Sequence, residues 1–469
     1  MVNLINLTLY NRHSYYTFLD NACLNCDSFS KDVFQILLLC FGGCILKMYL
    51  KYFFKKEERI EMLSQKTIDI IKSTAPILET EGKKITTCFY KMMFEAHPEL
   101  LNIFNHVNQK QGRQQTALAN TVYAAAKYID QLEVIVPTVT QIAHKHRGLG
   151  IKPEHYPIVG EFLLKAIKEV LGDAATDEII GAWGEAYGVI AQAFIDVEKG
   201  MYNAAANQEN GWMDFKDFTV VKKEQESNVI TSFYLKPADG SGVTTFVPGQ
   251  YLTVRVNIPG EEYLLNRQYS LSCAPGHDYY RISVKKEKDF EPNGKVSNYL
   301  HDHVQVGDTI EISAPSGNFT LNMEETAPVA LISGGVGLTP MMSMLETLAN
   351  NESKREVYFV HAARNEEFHA FKETVRDLTD KLENGHAYYG YEKPLNADGN
   401  HHFEGYLSKV FLQNLITKET ITYICGPVPF LKNTVQILTD LGVKKENIRY
   451  EFFGPAMDLT AEEKSEVTA

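Results

Sequence analysis

Two histidines in a helical stretch form the first group of residues that could do chemistry. His144 and His146 flank Lys145, and apolar residues recur around them at helical spacing. A neutral imidazole can bind a metal ion, including iron, through one ring nitrogen. Residues two positions apart cannot share a helical face, so only one of the two could serve a given site. A single histidine in a helical domain is more often an ordinary residue, and spacing alone does not decide between these interpretations.

A glycine-rich turn is the second group. The run Ser333-Gly334-Gly335-Val336-Gly337-Leu338-Thr339-Pro340 follows a strand-like segment and precedes a helical pattern. Glycines let backbone amides approach a pyrophosphate at a helix N-terminus, and Pro340 suits the first helical turn. The turn is not the common G-x-G-x-x-G, because Pro340 stands where the third glycine would be. A second short motif, Cys425-Gly426-Pro427, follows a later strand, at the edge of such sheets where ligands bind.

The third group lies on strand-like segments between the first two. It consists of Tyr251 and the run Arg267-Gln268-Tyr269-Ser270. An arginine can pair with a pyrophosphate and a tyrosine can cover an aromatic ring. Taken alone the pattern is weak, because arginine and tyrosine in strands mostly form cross-strand pairs.

The periodicity of the chain predicts three domains of different classes. From 62 to 203 apolar residues recur at helical spacing, which predicts an all-α domain such as a bundle or a globin. From 211 to 322 the period changes to 2 with glycine and proline between short strands, which predicts an antiparallel β-barrel. From 325 to 456 strand-like and helix-like segments alternate, which predicts an α/β domain with a parallel sheet. A charged tail follows at 457–469.

Composition excludes some classes of function. The chain has 469 residues and a formal net charge of −13, which argues against a nucleic-acid binder. Seven cysteines in a chain of this length do not form a disulfide framework, and the scattered ones fit a reducing cytoplasm.

Residues 1–61 differ from the rest and allow three interpretations. An apolar run at 33–46 is followed by Lys47 and Lys51. It is shorter than the ~20 residues of a spanning helix, so residues 33–54 could anchor the protein in a membrane only if these lysines snorkel. A signal peptide fits poorly because the charges follow the apolar core. Alternatively, purine-rich codons for 55–59 would form a ribosome-binding site, and Met62 would be the native start.

The helical part resembles the globin domain of the flavohaemoglobins, the bacterial and fungal nitric oxide dioxygenases. The resemblance is carried by Phe89-Tyr90, His97–Asn105, Asn108–Asn120, Ile142–His146, Lys152–Tyr156 and Ala182–Gly188. It implies that His146 is the proximal haem ligand, held by Tyr156 and Glu198. It also implies roles for the remaining positions that match: Tyr90 and Gln114 as distal hydrogen-bonding residues, Phe104 and Leu118 packed on the haem, and Lys145 beside the ligand, tuning the haem potential.

The remainder resembles the ferredoxin reductase superfamily. Tyr251 and the run Arg267–Ser270 match its flavin-binding signature, and Gly294-Lys295-Val296-Ser297 matches its second pyrophosphate contact, next to an insertion at 289–293. The turn at 333–340 matches its G-x-G-x-T-P form, and Cys425, Gly426 and Pro427 would line the nicotinamide pocket. In the motif that closes this part of the chain, at 450–455, the resemblance implies that Glu451 tunes the flavin potential. It also implies that four residues line the flavin: Phe452, Phe453, Gly454 and Pro455.

The resemblance implies an oxidoreductase that carries haem b, FAD and NAD(P)H. Hydride would pass from NAD(P)H to FAD and single electrons to the haem, where nitric oxide and O2 would give nitrate. We expect a cytoplasmic monomer. Three alternatives remain: a haem-based oxygen or redox sensor, a membrane-tethered electron-transfer protein, and an anaerobic nitric oxide reductase.

Overall fold

The computed structural model describes residues 63–288, 293–396 and 401–454. The first part is helical, in agreement with the predicted all-α domain. Its helices are α1 (Gln65–Ala96), α2 (His106–Lys110), α3 (Arg113–Lys127), α4 (Val136–Leu149), α5 (His155–Leu171) and α6 (Asp177–Ala206). Helix α1 packs against α3, α5 and α6, and α4 packs against α6.

Local sequence explains where the helices that carry the candidate residues begin and end. Ser64 caps α1 by accepting a hydrogen bond from the Thr67 amide at 3.0 Å, which satisfies an otherwise unpaired donor. Helix α4 ends at Gly150, whose φ of +78° is a left-handed conformation that glycine adopts without steric cost. The Ile151 amide then returns to the His146 carbonyl at 3.0 Å. The last turn of α4 is therefore fixed immediately after the two histidines.

The second part is a six-stranded antiparallel sheet, in agreement with the predicted barrel. Its strands are β1 (Phe215–Gln225), β2 (Ile230–Pro237), β3 (Tyr251–Val256), β4 (Leu265–Ser270), β5 (Tyr280–Lys285) and β6 (Thr309–Ser313). They run in the order β4-β3-β6-β1-β2-β5. A helix, α7 (Lys295–Asp302), lies between β5 and β6.

Strand β3 differs from the alternation that its sequence predicts. Leu252 and Val254 face the barrel core, but Thr253 is fully buried as well. The reason is that the outer face of β3 is covered by helix α4: a Cβ added to Gly148 would lie 3.2 Å from Thr253 Oγ1 and 3.4 Å from the Tyr251 ring. Hydropathy along one strand does not show that another domain covers its polar side.

The third part is a parallel sheet with helices on both faces, in agreement with the predicted α/β domain. Its strands are β7 (Val329–Gly334), β8 (Val357–Ala363), β9 (Gly385–Tyr391), β10 (Phe403–Glu404), β11 (Ile421–Cys425) and β12 (Ile448–Glu451), in the order β10-β9-β8-β7-β11-β12. Its helices are α8 (Leu338–Asn350), α9 (Lys372–Asp380), α10 (Lys409–Leu412) and α11 (Val428–Asp440).

Across the described ranges, no helix is both long enough and apolar enough to span a bilayer. The possible anchor at 33–54, the alternative start at Met62 and the tail at 457–469 lie outside the described residues.

Candidate functional site

His146 is held by two side chains from neighbouring helices. Its Nδ1 lies 2.7 Å from Glu198 Oε1 and 3.2 Å from the Tyr156 hydroxyl. The Tyr156 hydroxyl also donates to Glu198 Oε1 at 2.6 Å. Helices α4, α5 and α6 each supply one member of this triad, so the sequence positions 146, 156 and 198 meet only in the folded domain. A carboxylate that accepts the imidazole N–H orients the ring and makes its other nitrogen a stronger ligand.

The surroundings of Tyr156 keep its phenolic hydroxyl protonated. Burial raises the pKa of Tyr156, and the adjacent Glu198 raises it further. The phenol therefore stays a donor to the carboxylate at neutral pH. Sequence reasoning assigned no role to Tyr187, whose hydroxyl donates to the Tyr156 carbonyl at 2.6 Å. Its ring fills the space beside Gly160, where an added Cβ would approach within 2.5 Å.

The residues predicted for the distal side lie together on α1, α3 and the segment between α1 and α2. The Tyr90 ring meets the Phe104 ring edge-on with centroids 5.8 Å apart. Burial raises the pKa of Tyr90, and hydrogen bonds with Gln114 and Gln109 partly oppose this. Gln114 and Leu118 are one turn apart on α3 and both are half-buried, so they share a helical face.

Sequence reasoning missed one aromatic neighbour in this group. The Phe94 ring stacks on Tyr90 at 5.7 Å and meets Phe104 at 5.3 Å. Its position four residues after Tyr90 was the available signal, because that spacing places two side chains on one helical face.

The arrangement around His146 fits a haem. Both described hydrogen bonds of the ring use Nδ1, so Nε2 is the nitrogen that could bind a haem iron. The side chain remains 31% exposed, although Ala143, Arg147 and Phe194 around it are buried. An oriented imidazole that is still accessible is the donor that a haem iron needs.

The opposite face of α4 rests on the barrel. The Ser316 hydroxyl donates to the His144 carbonyl at 2.7 Å, and the Gly317 amide donates to His144 Nδ1 at 3.3 Å. Burial lowers the pKa of His144 to about 4, so its ring is a neutral acceptor. The Arg147 guanidinium donates to the Pro315 carbonyl. His144 and His146 thus face different partners, and Arg147, which sequence reasoning did not single out, belongs to the junction.

Lys145 reaches the closing segment of the α/β domain. Its Nζ donates to the Gly454 carbonyl at 2.6 Å. Burial lowers the pKa of Lys145 and the nearby Glu451 raises it, while burial raises the pKa of Glu451 and Lys145 lowers it. Phe452 is partly buried, whereas Phe453 is 46% exposed. Pro455 lies outside the described residues, and the roles predicted for this motif stay predictions.

The signature on β4 fits a flavin nucleotide. Arg267 donates to the Asn266 carbonyl at 2.6 Å, and burial lowers its pKa. Among the described residues no carboxylate pairs with this guanidinium, so an anionic pyrophosphate would supply the missing charge. Ser270 pairs with Tyr251 across β4 and β3, and Gln268 is exposed.

The second predicted pyrophosphate contact begins helix α7. The Ser297 hydroxyl donates to the Gly294 carbonyl at 3.1 Å and accepts from the Glu287 amide at 3.3 Å. Lys295 pairs with Glu261 at 2.5 Å, so in this structure its ammonium group is engaged with a carboxylate. Residues 289–292 of the neighbouring insertion lie outside the described residues.

The glycine-rich turn and the Cys425 motif meet at the carboxyl edge of the parallel sheet. Cys425 on β11 pairs with Ser333 on β7. A Cβ on Gly337 would overlap the Cys425 carbonyl oxygen, so only glycine lets the turn close against this strand. Thr339 and Pro340 follow in the first turn of α8. The backbone amides that open this helix form a cradle of the kind that binds pyrophosphate.

Cys425 is a poor redox thiol in this structure. Its side chain is fully buried and burial raises its pKa well above the usual value. It is a free cysteine. A thiol that stays protonated is a weak nucleophile, which supports the interpretation that Cys425 lines a pocket.

Family models match three successive parts of the chain. They are a globin over residues 87–194, an oxidoreductase FAD-binding domain over 217–321 and an oxidoreductase NAD-binding domain over 331–436. The three matches follow the order of the helical, barrel and α/β parts described above. The chain is therefore an oxidoreductase whose cofactors are haem, FAD and a nicotinamide dinucleotide.

Similar proteins match along nearly their whole length. A flavohemoprotein of Bacillus thuringiensis subsp. konkukian is 62% identical over 403 residues, which cover 85% of this chain and 100% of the relative. Flavohemoprotein A of Dictyostelium discoideum is 48% identical over 407 residues, with 85% of this chain and 100% of the relative covered. The crystal structure of flavohemoglobin from Malassezia yamatoensis with bound FAD and heme superposes with a TM-score of 0.74 at 30% identity, covering 84% of this chain and 100% of that one. Complete relatives at this identity place the chain in the flavohaemoglobin family.

Proposed function

We propose that this protein is an NAD(P)H-dependent nitric oxide dioxygenase, which converts nitric oxide and O2 to nitrate. The observation that carries the proposal is the contact of 2.7 Å between His146 Nδ1 and the buried carboxylate of Glu198. A ligand imidazole with a carboxylate partner favours activation of oxygen over its storage. When bound, the flavin accepts hydride and passes on single electrons, and the haem binds the gases.

Side chains of the protein orient the His146 ring and supply a hydrogen-bond donor for a bound gas. Glu198 and Tyr156 fix the His146 ring and its Nδ1 proton. Tyr90, whose pKa is raised by burial, keeps its hydroxyl proton at neutral pH and can donate it in a hydrogen bond to a bound gas. Gln114 neighbours that hydroxyl and offers a second polar group. The Gly334–Gly337 turn would hold the nucleotide at the carboxyl edge of the parallel sheet.

The contacts of α4 support direct electron transfer between the two cofactor sites. One face of α4 holds His146. Its neighbours Gly148 and Arg147 contact the barrel, and Lys145 contacts the closing segment of the α/β domain. A short, packed connection of this kind needs no diffusing carrier between flavin and haem.

The test is consumption of nitric oxide by the purified full-length protein in air, with NADH and FAD supplied. We expect rapid loss of nitric oxide with nitrate as the product. Tyr90→Phe, which removes only the hydroxyl, should slow this reaction, whereas the matched control Tyr123→Phe on α3 should not. No consumption while NADH still reduces the haem would contradict the proposal and favour a sensor or an electron-transfer protein. Nitrous oxide formation under argon would identify the anaerobic reductase.

We further propose that the globin domain spans 62–203, the FAD domain 211–322 and the NAD(P) domain 325–456. Helix α6 continues to Ala206 and strand β1 begins at Phe215, so the first connection lies at 207–214. Limited proteolysis should cut between Ala206 and Phe215 before it cuts within a domain.

We also propose a cytoplasmic location and a monomeric state. Cys88, Cys273 and Cys425 are free in the described ranges, which suits a reducing compartment. Cell fractionation and sedimentation of the full-length protein test these two points, and partition into membranes would favour an anchor at 33–54.

A further inference from the structure

Asn266 connects the flavin-binding strand to the segment that carries Phe104. It lies on β4, directly before Arg267, and is 2% exposed. Its Nδ2 donates to the Asn102 carbonyl at 2.7 Å and to the Ile103 carbonyl at 3.0 Å. These bonds cross from the barrel to the helical domain. Their acceptors are the two residues that precede Phe104.

The chemistry of the acceptors determines which way the carboxamide points. Two carbonyl oxygens face the same end of the side chain, and only an NH₂ group can donate to both. Its Oδ1 is buried and has no hydrogen-bond partner among the described residues. Leaving an acceptor unpaired is unfavourable, so the Oδ1 atom does not explain an asparagine here. The side chain is better explained by the two carbonyl groups that it holds.

The segment that Asn266 holds connects two helical elements. A short 3₁₀ helix ends at Asn102, and α2 begins at His106. The Leu264 amide on the barrel side adds a third bond, to Asn102 Oδ1 at 2.9 Å. Within the helical domain the Leu100 carbonyl accepts from the Ile103 amide at 2.9 Å and from the Phe104 amide at 3.3 Å, and Asn102 Nδ2 donates to the Glu99 carbonyl at 2.9 Å. The barrel therefore adds three hydrogen bonds of 2.7–3.0 Å to those that the helical domain itself supplies.

Phe104 in turn lines the proposed haem pocket. Its ring touches Tyr90 and Phe94. The backbone carbonyl of Asn266 accepts a hydrogen bond from the Arg267 guanidinium at 2.6 Å. One residue thus bonds to the proposed pyrophosphate arginine through its backbone and to the Phe104 segment through its side chain.

We propose that Asn266, on the flavin-binding strand β4, is a positioning residue that holds Phe104 in place. Flavin occupancy then alters the access of gases to the haem. The proposal rests on the assignment of Phe104 to the haem pocket made above. A pyrophosphate bound by Arg267 would share the guanidinium with the Asn266 carbonyl, because the same group would then donate to both. The position of Asn266, and with it the Phe104 segment, then depends on whether flavin is present.

The test measures carbon monoxide binding to the dithionite-reduced full-length protein by flash photolysis, with FAD bound and with FAD removed. Asn266→Leu removes both donors at similar volume, and Asn266→Asp places oxygen against the two carbonyl oxygens. We expect about a tenfold change in the association rate constant, which corresponds to about one buried hydrogen bond. In both variants the difference between FAD-bound and FAD-free protein should disappear.

Two control variants separate the possible failures. Phe104→Leu should change the rate constant whether or not FAD is bound, and Asn433→Leu, which removes an asparagine-to-carbonyl bond within the α/β domain, should leave it unchanged. Wild-type kinetics in Asn266→Leu, alongside altered kinetics in Phe104→Leu, would overturn the coupling. Wild-type kinetics in Phe104→Leu would overturn the pocket assignment, and the proposal with it. If Asn266→Leu does not retain haem and FAD, Asn266→Ser replaces it.

Discussion

Replacing Glu198 with glutamine would remove one negative charge from the centre of the globin domain without changing the shape of the side chain. Glu198 is 3% exposed and accepts from His146 Nδ1 at 2.7 Å and from the Tyr156 hydroxyl at 2.6 Å. Glutamine can still accept through Oε1, so the imidazole keeps its orientation. What is lost is the carboxylate charge that would give the imidazole its electron-donating character.

The magnitude follows from the difference between charged and neutral hydrogen bonds. Bonds to a charged group contribute about 1.5–3 kcal/mol and neutral ones about 0.5–1.5 kcal/mol. The difference for the single His146 bond is therefore about 1–1.5 kcal/mol. If the charge stabilises the oxidised iron by this amount, its loss raises the haem potential by about 60 mV and slows the oxygen chemistry about tenfold.

The assay combines a redox titration of the haem with nitric oxide consumption under saturating NADH. Tyr156→Phe serves as the matched variant, because it removes one hydrogen bond to the same carboxylate and leaves the charge in place. Its effect on the potential should be smaller than that of Glu198→Gln. A Glu198→Gln protein with wild-type potential and wild-type turnover would refute the argument that the carboxylate acts through His146.

Three other predictions concern the remaining parts of the molecule. His146→Ala should lose haem yet retain FAD and NADH-dependent dye reduction, and full haem occupancy by absorbance would contradict the ligand assignment. Gly337→Ala should raise the KM for NADH more than tenfold with both other cofactors retained, because the new Cβ overlaps the Cys425 carbonyl; an unchanged KM would count against the cradle. Burial lowers the pKa of His361 to about 4 and that of His369 to about 2, below the unfolded value of about 6.5. As the pH falls, these histidines bind protons in the unfolded state before they do so in the folded state. Each should therefore lower the free energy of unfolding by about 1.4 kcal/mol per pH unit below about pH 6.5. The melting temperature should fall from pH 7.5 to pH 5, and a constant melting temperature would contradict the buried neutral state.

Much of the fold could be predicted from local pattern. The change of period from 3.6 to 2 marks the passage from helices to barrel, because burial on one face repeats with the geometry of the backbone. Strand β11, Ile421–Cys425, is one example, since a short run rich in β-branched residues before a glycine and a proline favours a strand. Element ends are less evident from the sequence: the apolar residues continue to Phe453, whereas strand β12 ends at Glu451.

The candidate residues at sites were also identifiable, but several of their partners were not. Arg147 and Asn266 carry no motif, and their importance comes from backbone carbonyls in another domain. A carbonyl acceptor is common to every residue, so no residue type in the sequence indicates it. Phe94 was the exception, because its helical spacing from Tyr90 was visible.

The sequence by itself determined the order of the three domains, the family resemblance and the identity of the ligand-type residues, because these depend on residue types at short spacing. The tertiary structure alone decided that His144 turns towards the barrel, and that Lys145 reaches Gly454 across 309 positions of the chain. The physical reason is that these contacts join groups far apart in sequence. Their distances depend on how whole domains pack, and no local periodicity records that packing.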